Sequence, residues 1–241
     1  MTNAKSPAAS SEFESKLRDA VMQYSMLKHP FYVAWTEGKL TKSVLAEYAK
    51  QYYAHVRAFP AYVSAVHSRC EDLSIRQQLL ENLIEEERGE ENHPELWLRF
   101  AEGLGVAREN VTAAELLPST KDSVRRLQSL TQSEDFREGL AALLAYESQI
   151  PEVAQTKREG LKSFYGIEDE RAVSFFRVHE STDVLHQQVE MQILKEQCQS
   201  PAGQDRAIAS AKESAKALWS FLDGVAAAYL PTKSASANAA V

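Results

Sequence analysis

Only two cysteines, Cys70 and Cys198, occur among 241 residues. That is too few for a secreted disulfide scaffold, and both are expected as reduced thiols in a cytoplasmic protein. Glycine (9) and proline (8) are sparse, which argues against turn-rich sandwiches, propellers and collagen. No apolar run approaches the roughly 20 residues that span a bilayer. The opening MTNAKSPAASSE lacks the apolar core of a signal peptide. Basic side chains are in deficit, 27 Lys+Arg against 34 Asp+Glu for a net charge of −7. Neither nucleic acid nor an anionic membrane surface is therefore an expected partner. What is present is 44% hydrophobic and 25% charged residues, ordinary for a soluble globular chain. This length buries a sizeable core without disulfide or metal staples.

The hydrophobic pattern is helical almost throughout. Residues 1–10 and 232–241 are low in complexity and read as disordered tails around a single domain over 11–231. Phe13, Leu17, Ala20, Val21, Tyr24 and Leu27 recur at helical spacing over residues 12–28. Thr41 starts a second helix that Pro60 should kink before it ends near Cys70. Asp72 or Ser74 can cap a third, in which Pro94 predicts a bend before the stop at Gly105. A connector over 106–119 precedes helices over 121–133 and 135–164, the latter carrying Pro151 as a kink and ending at Gly166. Two more cover 168–199 and 202–230. No segment alternates with period two long enough to be a strand. The expectation is one all-α bundle of about seven helices.

Metal chemistry in a helical bundle needs carboxylates and imidazoles facing inward from adjacent helices. His179, Asp183 and His186 stand at i, i+4 and i+7, within about 60° of arc on one helix face. Glu86 and His93 are also seven apart on the third predicted helix. Glu147 follows the apolar run Leu143-Leu144-Ala145-Tyr146, where an unpaired carboxylate is costly if buried. Three carboxylates and three imidazoles suit two iron or manganese ions better than structural zinc, which prefers thiolates. Against this, the run from Glu85 to Glu91 fits a solvated acidic face. His29, His55 and His67 fit satisfied core, surface or substrate-pocket histidines. Spacing also leaves the acidic ligand open, since Glu90-x-x-His93 and Asp183-x-x-His186 form a matched pair of acid-x-x-His motifs.

The stretch from His29 to Thr41 (HPFYVAWTEGKLT), the stretch from Tyr48 to Pro60 (YAKQYYAHVRAFP), and the segments VHSRC, YESQIP and HESTDVLH together resemble the CADD family. That family is named after the chlamydial protein associating with death domains. The resemblance covers nearly the whole chain outside the tails. It implies a seven-helix haem-oxygenase-like fold related to the TenA and PqqC proteins. It also implies a dinuclear metal centre held by Glu86, His93, Glu147, His179, Asp183 and His186, with iron in both positions or manganese and iron. The activity it implies is oxygen-dependent formation of para-aminobenzoate for folate synthesis, with O₂ and an external reductant as co-substrates. In that family the protein is thought to sacrifice its own side chains, a tyrosine becoming the aromatic product and a lysine supplying nitrogen. The tyrosine falls on Tyr32 and the lysine on Lys157, while Tyr48 and Tyr146 match tyrosines that line the family's site. Where some members carry a tyrosine just upstream of the first C-terminal histidine, this chain has Ser174-Phe175-Phe176. Lys157 lies ten positions after Glu147 on the same predicted helix, and in a desolvated pocket it would be a neutral, nucleophilic amine. Without the resemblance, Lys157 reads as a solvated helix residue and Tyr32 as a core aromatic.

Other functions remain open to the sequence. A diiron oxidase could act on an external small molecule. A cofactorless PqqC-like oxidase is disfavoured by three mutually repelling carboxylates. A TenA-like hydrolase would need a nucleophilic cysteine, for which Cys70 is the candidate. Haem would need one axial histidine such as His29, which the six-ligand signature argues against. A protein-binding role toward death domains lacks any visible recognition motif. The expected assembly is a homodimer.

Overall fold

The structure is a computed structural model that describes the backbone of residues 7–230 and the side chains of residues 11–180 and 183–230. Residues 1–6 and 231–241, most of the two expected tails, lie outside the described residues. Among the described residues there are eleven α-helices and no strand. In chain order they are α1 (Pro7–Met22), α2 (Pro30–Thr36), α3 (Lys42–Arg69), α4 (Leu73–Glu87), α5 (His93–Gly103), α6 (Arg108–Thr112), α7 (Pro118–Thr131), α8 (Phe136–Glu147), α9 (Ile150–Tyr165), α10 (Glu170–Gln197) and α11 (Pro201–Tyr229). A short 3-10 turn, Met26–Lys28, joins α1 to α2.

Side-chain oxygens set many of the helix starts by accepting orphan backbone N–H groups. Thr41 accepts from Val44, Asp72 from Ser74 and Ile75, Asn92 from Glu95, and Asp169 from Arg171 and Ala172. Proline sits in the first turn of α2, α5, α7, α9 and α11, where its missing N–H costs nothing. This corrects two sequence expectations. Pro94 and Pro151 do not bend long helices; each opens a new one after a break at residues 88–92 and 148–149. The expected seven helices become eleven for that reason, because α6 forms within the expected connector, and because α2 forms between the first two expected helices. Lys157 consequently lies on α9 rather than on the helix of Glu147. The first helix also differs: it begins at Pro7, inside the stretch expected as a tail, and ends at Met22. Among the described residues only Pro60 is internal to a helix.

Helix α8 is the central element, with every residue from Gly139 to Glu147 buried. Helices α11, α10, α7 and α3 pack around it. Serine hydroxyls tie neighbours to backbone carbonyls: Ser210 Oγ donates to Glu138 O and Ser214 Oγ to Ala142 O. Their small side chains let α11 approach α8 closely. On the other side α9 rests on α2 through Gly160, where a Cβ would lie 2.7 Å from the Trp35 ring. Gly166 then ends α9 with φ 66°, a left-handed cap that glycine adopts without strain. The apolar side chains of α1 through α11 form one buried cluster, and the functional residues line a seam through it.

Candidate metal centre and its aromatic neighbour

Four helices converge on the seam. Glu86 comes from the last turn of α4, His93 opens α5, Glu147 ends α8, and His179, Asp183 and His186 project from one face of α10. The chain reverses between α4 and α5, so Glu86 and His93 meet across a turn rather than along one helix. The six residues form two triads, Glu86–His93–His179 and Glu147–Asp183–His186, with candidate ligand atoms within 4.8 Å of one another in each. One ion with bonds of roughly 2 Å can be shared by such a set. Glu90, the alternative acid, is exposed in the turn between α4 and α5.

Burial makes this arrangement costly without cations. Glu86 and Asp183 are 3% and 2% exposed. Burial raises the Glu86 carboxyl above its usual range, and burial together with Glu147 and Glu86 raises that of Asp183 well above it. Burial, reinforced by neighbouring His93, pushes His179 well below the ordinary histidine value. His186 goes the other way: Glu147 and Glu85 outweigh its desolvation and raise it. Several ligand atoms also lack ordinary partners. His93 Nδ1 lies 2.8 Å from Glu86 Oε1 without hydrogen-bond geometry. His186 Nδ1 is 3.4 Å from Glu147 Oε1, and Glu147 Oε2 has no donor. Buried acceptors and imidazole nitrogens left in this state are what bound cations satisfy. The donor set of carboxylates and imidazoles suits iron or manganese.

Residues that spacing did not single out hold the ligands in place. His179 Nδ1 is 2.7 Å from the Phe175 carbonyl, which aims Nε2 into the seam. Glu85 contacts His186 Nε2 at 3.1 Å, leaving Nδ1 toward Glu147. Asn82, one turn before Glu86, donates to Glu147 Oε1 at 2.9 Å. Glu190, one turn beyond His186, is 2% exposed beside Glu147, and burial followed by that neighbour raises its carboxyl well above the usual range. Asn82 and Glu190 continue helix faces that already carry ligands, a signal present in the sequence.

The aromatic residues form two hydrogen-bonded groups. Tyr52 and Tyr146 share a 2.7 Å hydroxyl contact and line the space between the metal-ligand side chains. That space is about 20 Å³, bounded also by Val56, Phe59, Ile150 and Phe175. Behind it, Lys157 Nζ donates to Tyr48 Oη at 2.7 Å, and Tyr48 Oη is 2.8 Å from Tyr32 Oη. Tyr48 stacks on Tyr52 with centroids 5.5 Å apart, which joins the two groups. Lys157 is 3% exposed, with its amine 4.8 Å from the ring centroids of both Tyr32 and Tyr52. Aromatic faces favour an ammonium, yet no carboxylate pairs with this one among the described residues. Desolvation dominates and drives Lys157 well below the ordinary lysine value, toward the neutral amine. Of the three histidines set aside on sequence, His29 caps α2 through Nδ1 and contacts Asp223 through Nε2. His67 is half-buried at the end of α3. His55 is fully buried with no hydrogen-bond partner on either ring nitrogen, and burial lowers it to about 3.

Residues 46–219 match a family described as iron-containing redox enzyme. The chain belongs to this family. It is 42% identical over 226 residues to the 4-aminobenzoate synthase of Nitrosomonas europaea, covering 90% of this chain and 92% of that one. It is 43% identical over 200 residues to the 4-aminobenzoate synthase of Chlamydia pneumoniae, covering 82% and 87%. A TenA homologue from Pseudomonas syringae shares the fold with a TM-score of 0.76 at 15% identity, covering 89% and 91% of the two chains. This family enzyme thus has the haem-oxygenase-like, all-α fold that the sequence resemblance implied, and its membership of a family of iron-containing redox enzymes supports metal use. None of its described helices is long and apolar enough to cross a membrane.

Proposed function

We propose that the enzyme makes 4-aminobenzoate from its own side chains, with Tyr32 as the source of the ring and Lys157 as the source of nitrogen. The observation that carries this is the closed contact chain Lys157 Nζ–Tyr48 Oη–Tyr32 Oη, set directly behind the metal-ligand residues. The product's para arrangement matches a tyrosine ring, in which Cβ and the phenolic oxygen are para to each other. Forming it requires the carbon bearing that oxygen to accept nitrogen while the oxygen leaves as water, the Lys157 Cε–Nζ and Tyr32 Cα–Cβ bonds to break, and Cβ to be oxidised to the carboxylate, with O₂ as oxidant. A buried, neutral amine close to the phenol is suited to that bond, because its lone pair is free. The space beside the metal ligands, about 20 Å³, accommodates roughly one water-sized molecule. Small-molecule sites usually occupy about 300–1,000 Å³, so no external substrate fits between the ligands and the Tyr52–Tyr146 pair, the side on which Tyr32 and Lys157 lie.

Glu86, His93 and His179 would hold one ion and Glu147, Asp183 and His186 the other, as Fe/Fe or Mn/Fe. Once reduced and supplied with O₂, such a pair furnishes oxidising equivalents to a neighbouring phenol. The chain's own residues do the rest. The Tyr52–Tyr146 pair separates the ligands from Tyr32, and Tyr48 holds the Lys157 amine and the Tyr32 hydroxyl to one oxygen. The surrounding rings of Trp35, Trp97 and Phe31 exclude water.

The test is aerobic incubation with Fe(II), Fe(II) plus Mn(II), and a reductant, using protein carrying ring-labelled tyrosine. Fewer than one labelled 4-aminobenzoate per chain should appear without added substrate, with mass changes at Tyr32 and Lys157. Repeated turnover, or an unlabelled product, would overturn self-sacrifice and favour an external substrate.

A further inference from the structure

Glu190 stands outside the six-residue set, yet it is almost completely buried, no N–H or hydroxyl donor among the described residues reaches either of its oxygens, and its carboxyl meets that of Glu147. It faces a solvent-open cavity of about 360 Å³ between α4 and α10, together with Gln78, Glu81, Asn82, Glu85 and His186. Asn82 Oδ1 is a second buried acceptor without a partner on that wall. His186 belongs both to this cavity and to the Glu147–Asp183–His186 triad, so the cavity reaches the proposed centre from outside. Glu81 and Glu85 are exposed at its outer part and Glu190 is buried at its inner part. No lysine or arginine pairs with any of the three among the described residues, and Glu85 contacts only the His186 imidazole. The other approach to the centre, past Tyr52 and Tyr146, is narrow and walled by Val56, Phe59, Ile150 and Phe175.

We propose that this acidic cavity is the passage by which divalent cations reach the dinuclear centre, with Glu190 as the last transit ligand before the Glu147–Asp183–His186 triad. The inference rests on the dinuclear centre proposed above. A hydrated cation must exchange water for protein oxygens in steps, and hard cations take carboxylate and carbonyl oxygens readily. Glu81 and Glu85 gather cations at the mouth, since a cleft lined by one sign of charge concentrates counter-ions and speeds association about 10- to 1,000-fold. Glu190 and the Asn82 carbonyl replace the water shell within, and the triad then takes the ion.

The experiment uses the metal-stripped full chain. Co(II) uptake is followed by its visible absorption in stopped flow, and bound metal is counted at equilibrium after gel filtration. The wild-type chain should bind two ions. Glu190→Gln, nearly isosteric, and Glu81→Gln, at an exposed position, should each slow uptake, Glu190→Gln by at least about tenfold, while two ions still bind at equilibrium. Glu81→Gln should also flatten the dependence of the uptake rate on salt. Either variant loading at the wild-type rate overturns the passage. Glu190→Gln binding one ion instead of two also overturns it, since Glu190 would then be a ligand of the resident centre. A wild-type chain that binds no ion at equilibrium would instead overturn the dinuclear centre itself.

Discussion

At the scale of single residues, Lys157 carries the sharpest consequence. An amine buried among five aromatic rings, with one hydroxyl as its partner, is costly to the fold and is retained for chemistry. Lys157→Met should therefore raise the unfolding free energy by about 1–2 kcal/mol and abolish 4-aminobenzoate formation, while metal binding is unchanged. Denaturant titration and product assay on one preparation check both halves; a variant that is destabilised would show that the amine is structural. Tyr48→Phe separates positioning from bulk. It keeps the stacked ring on Tyr52 but removes the oxygen that both Lys157 and Tyr32 contact. Product should fall by at least tenfold, and stability by about 1–3 kcal/mol as the amine loses its partner. Neither residue's role was legible in spacing or periodicity. Lys157 reads locally as a solvated helix position, and its cage exists only because α2, α3 and α5 meet α9.

At the scale of elements, the prolines separate what sequence shows from what it hides. Proline is compatible both with a kinked helix and with the first turn of a new one. Asn92, which accepts from Glu95 N, decides the case for Pro94. Glu86 and His93 were paired on helical spacing, and the structure pairs them through a turn instead. The α10 set was legible for the right reason, because His179, Asp183 and His186 do share one face of an unbroken helix. The same face continues to Glu190, which spacing could have included. The close approach of α9 to α2 was invisible, since it depends on a glycine meeting an indole. Gly160→Val tests what that contact positions. The added side chain must push α9 away from Trp35, at a cost of about 1–3 kcal/mol. Lys157, one turn earlier on α9, should withdraw from Tyr48, so product yield should drop while two ions still bind. Retained yield despite lost stability would show that the amine is not placed by this helix contact.

At the scale of the whole molecule, stability should depend on pH differently with and without metal, and the sign follows from which groups titrate. About one unit above the ordinary histidine value of 6.5, His55 and His179 are neutral in both folded and unfolded chains, because burial lowers the folded values further still. They act only at lower pH, where the unfolded chain gains protons that the fold refuses and stability falls as pH falls. Glu86, Asp183 and Glu190 are shifted upward by burial, and His186 upward by Glu147 and Glu85. For these four the metal-free fold binds protons more tightly than the unfolded chain. Their contribution is present at lower pH and is lost as pH rises through the folded values. Bound cations replace those protons at the centre, so the loss should vanish in the loaded enzyme. Once the ordinary histidines of the unfolded chain are neutral, about one unit above their usual value, the midpoint of thermal unfolding of stripped protein should therefore fall as pH rises, while the loaded protein stays level. Parallel slopes for the two forms would show that the buried carboxylates are neutralised by something other than metal ions.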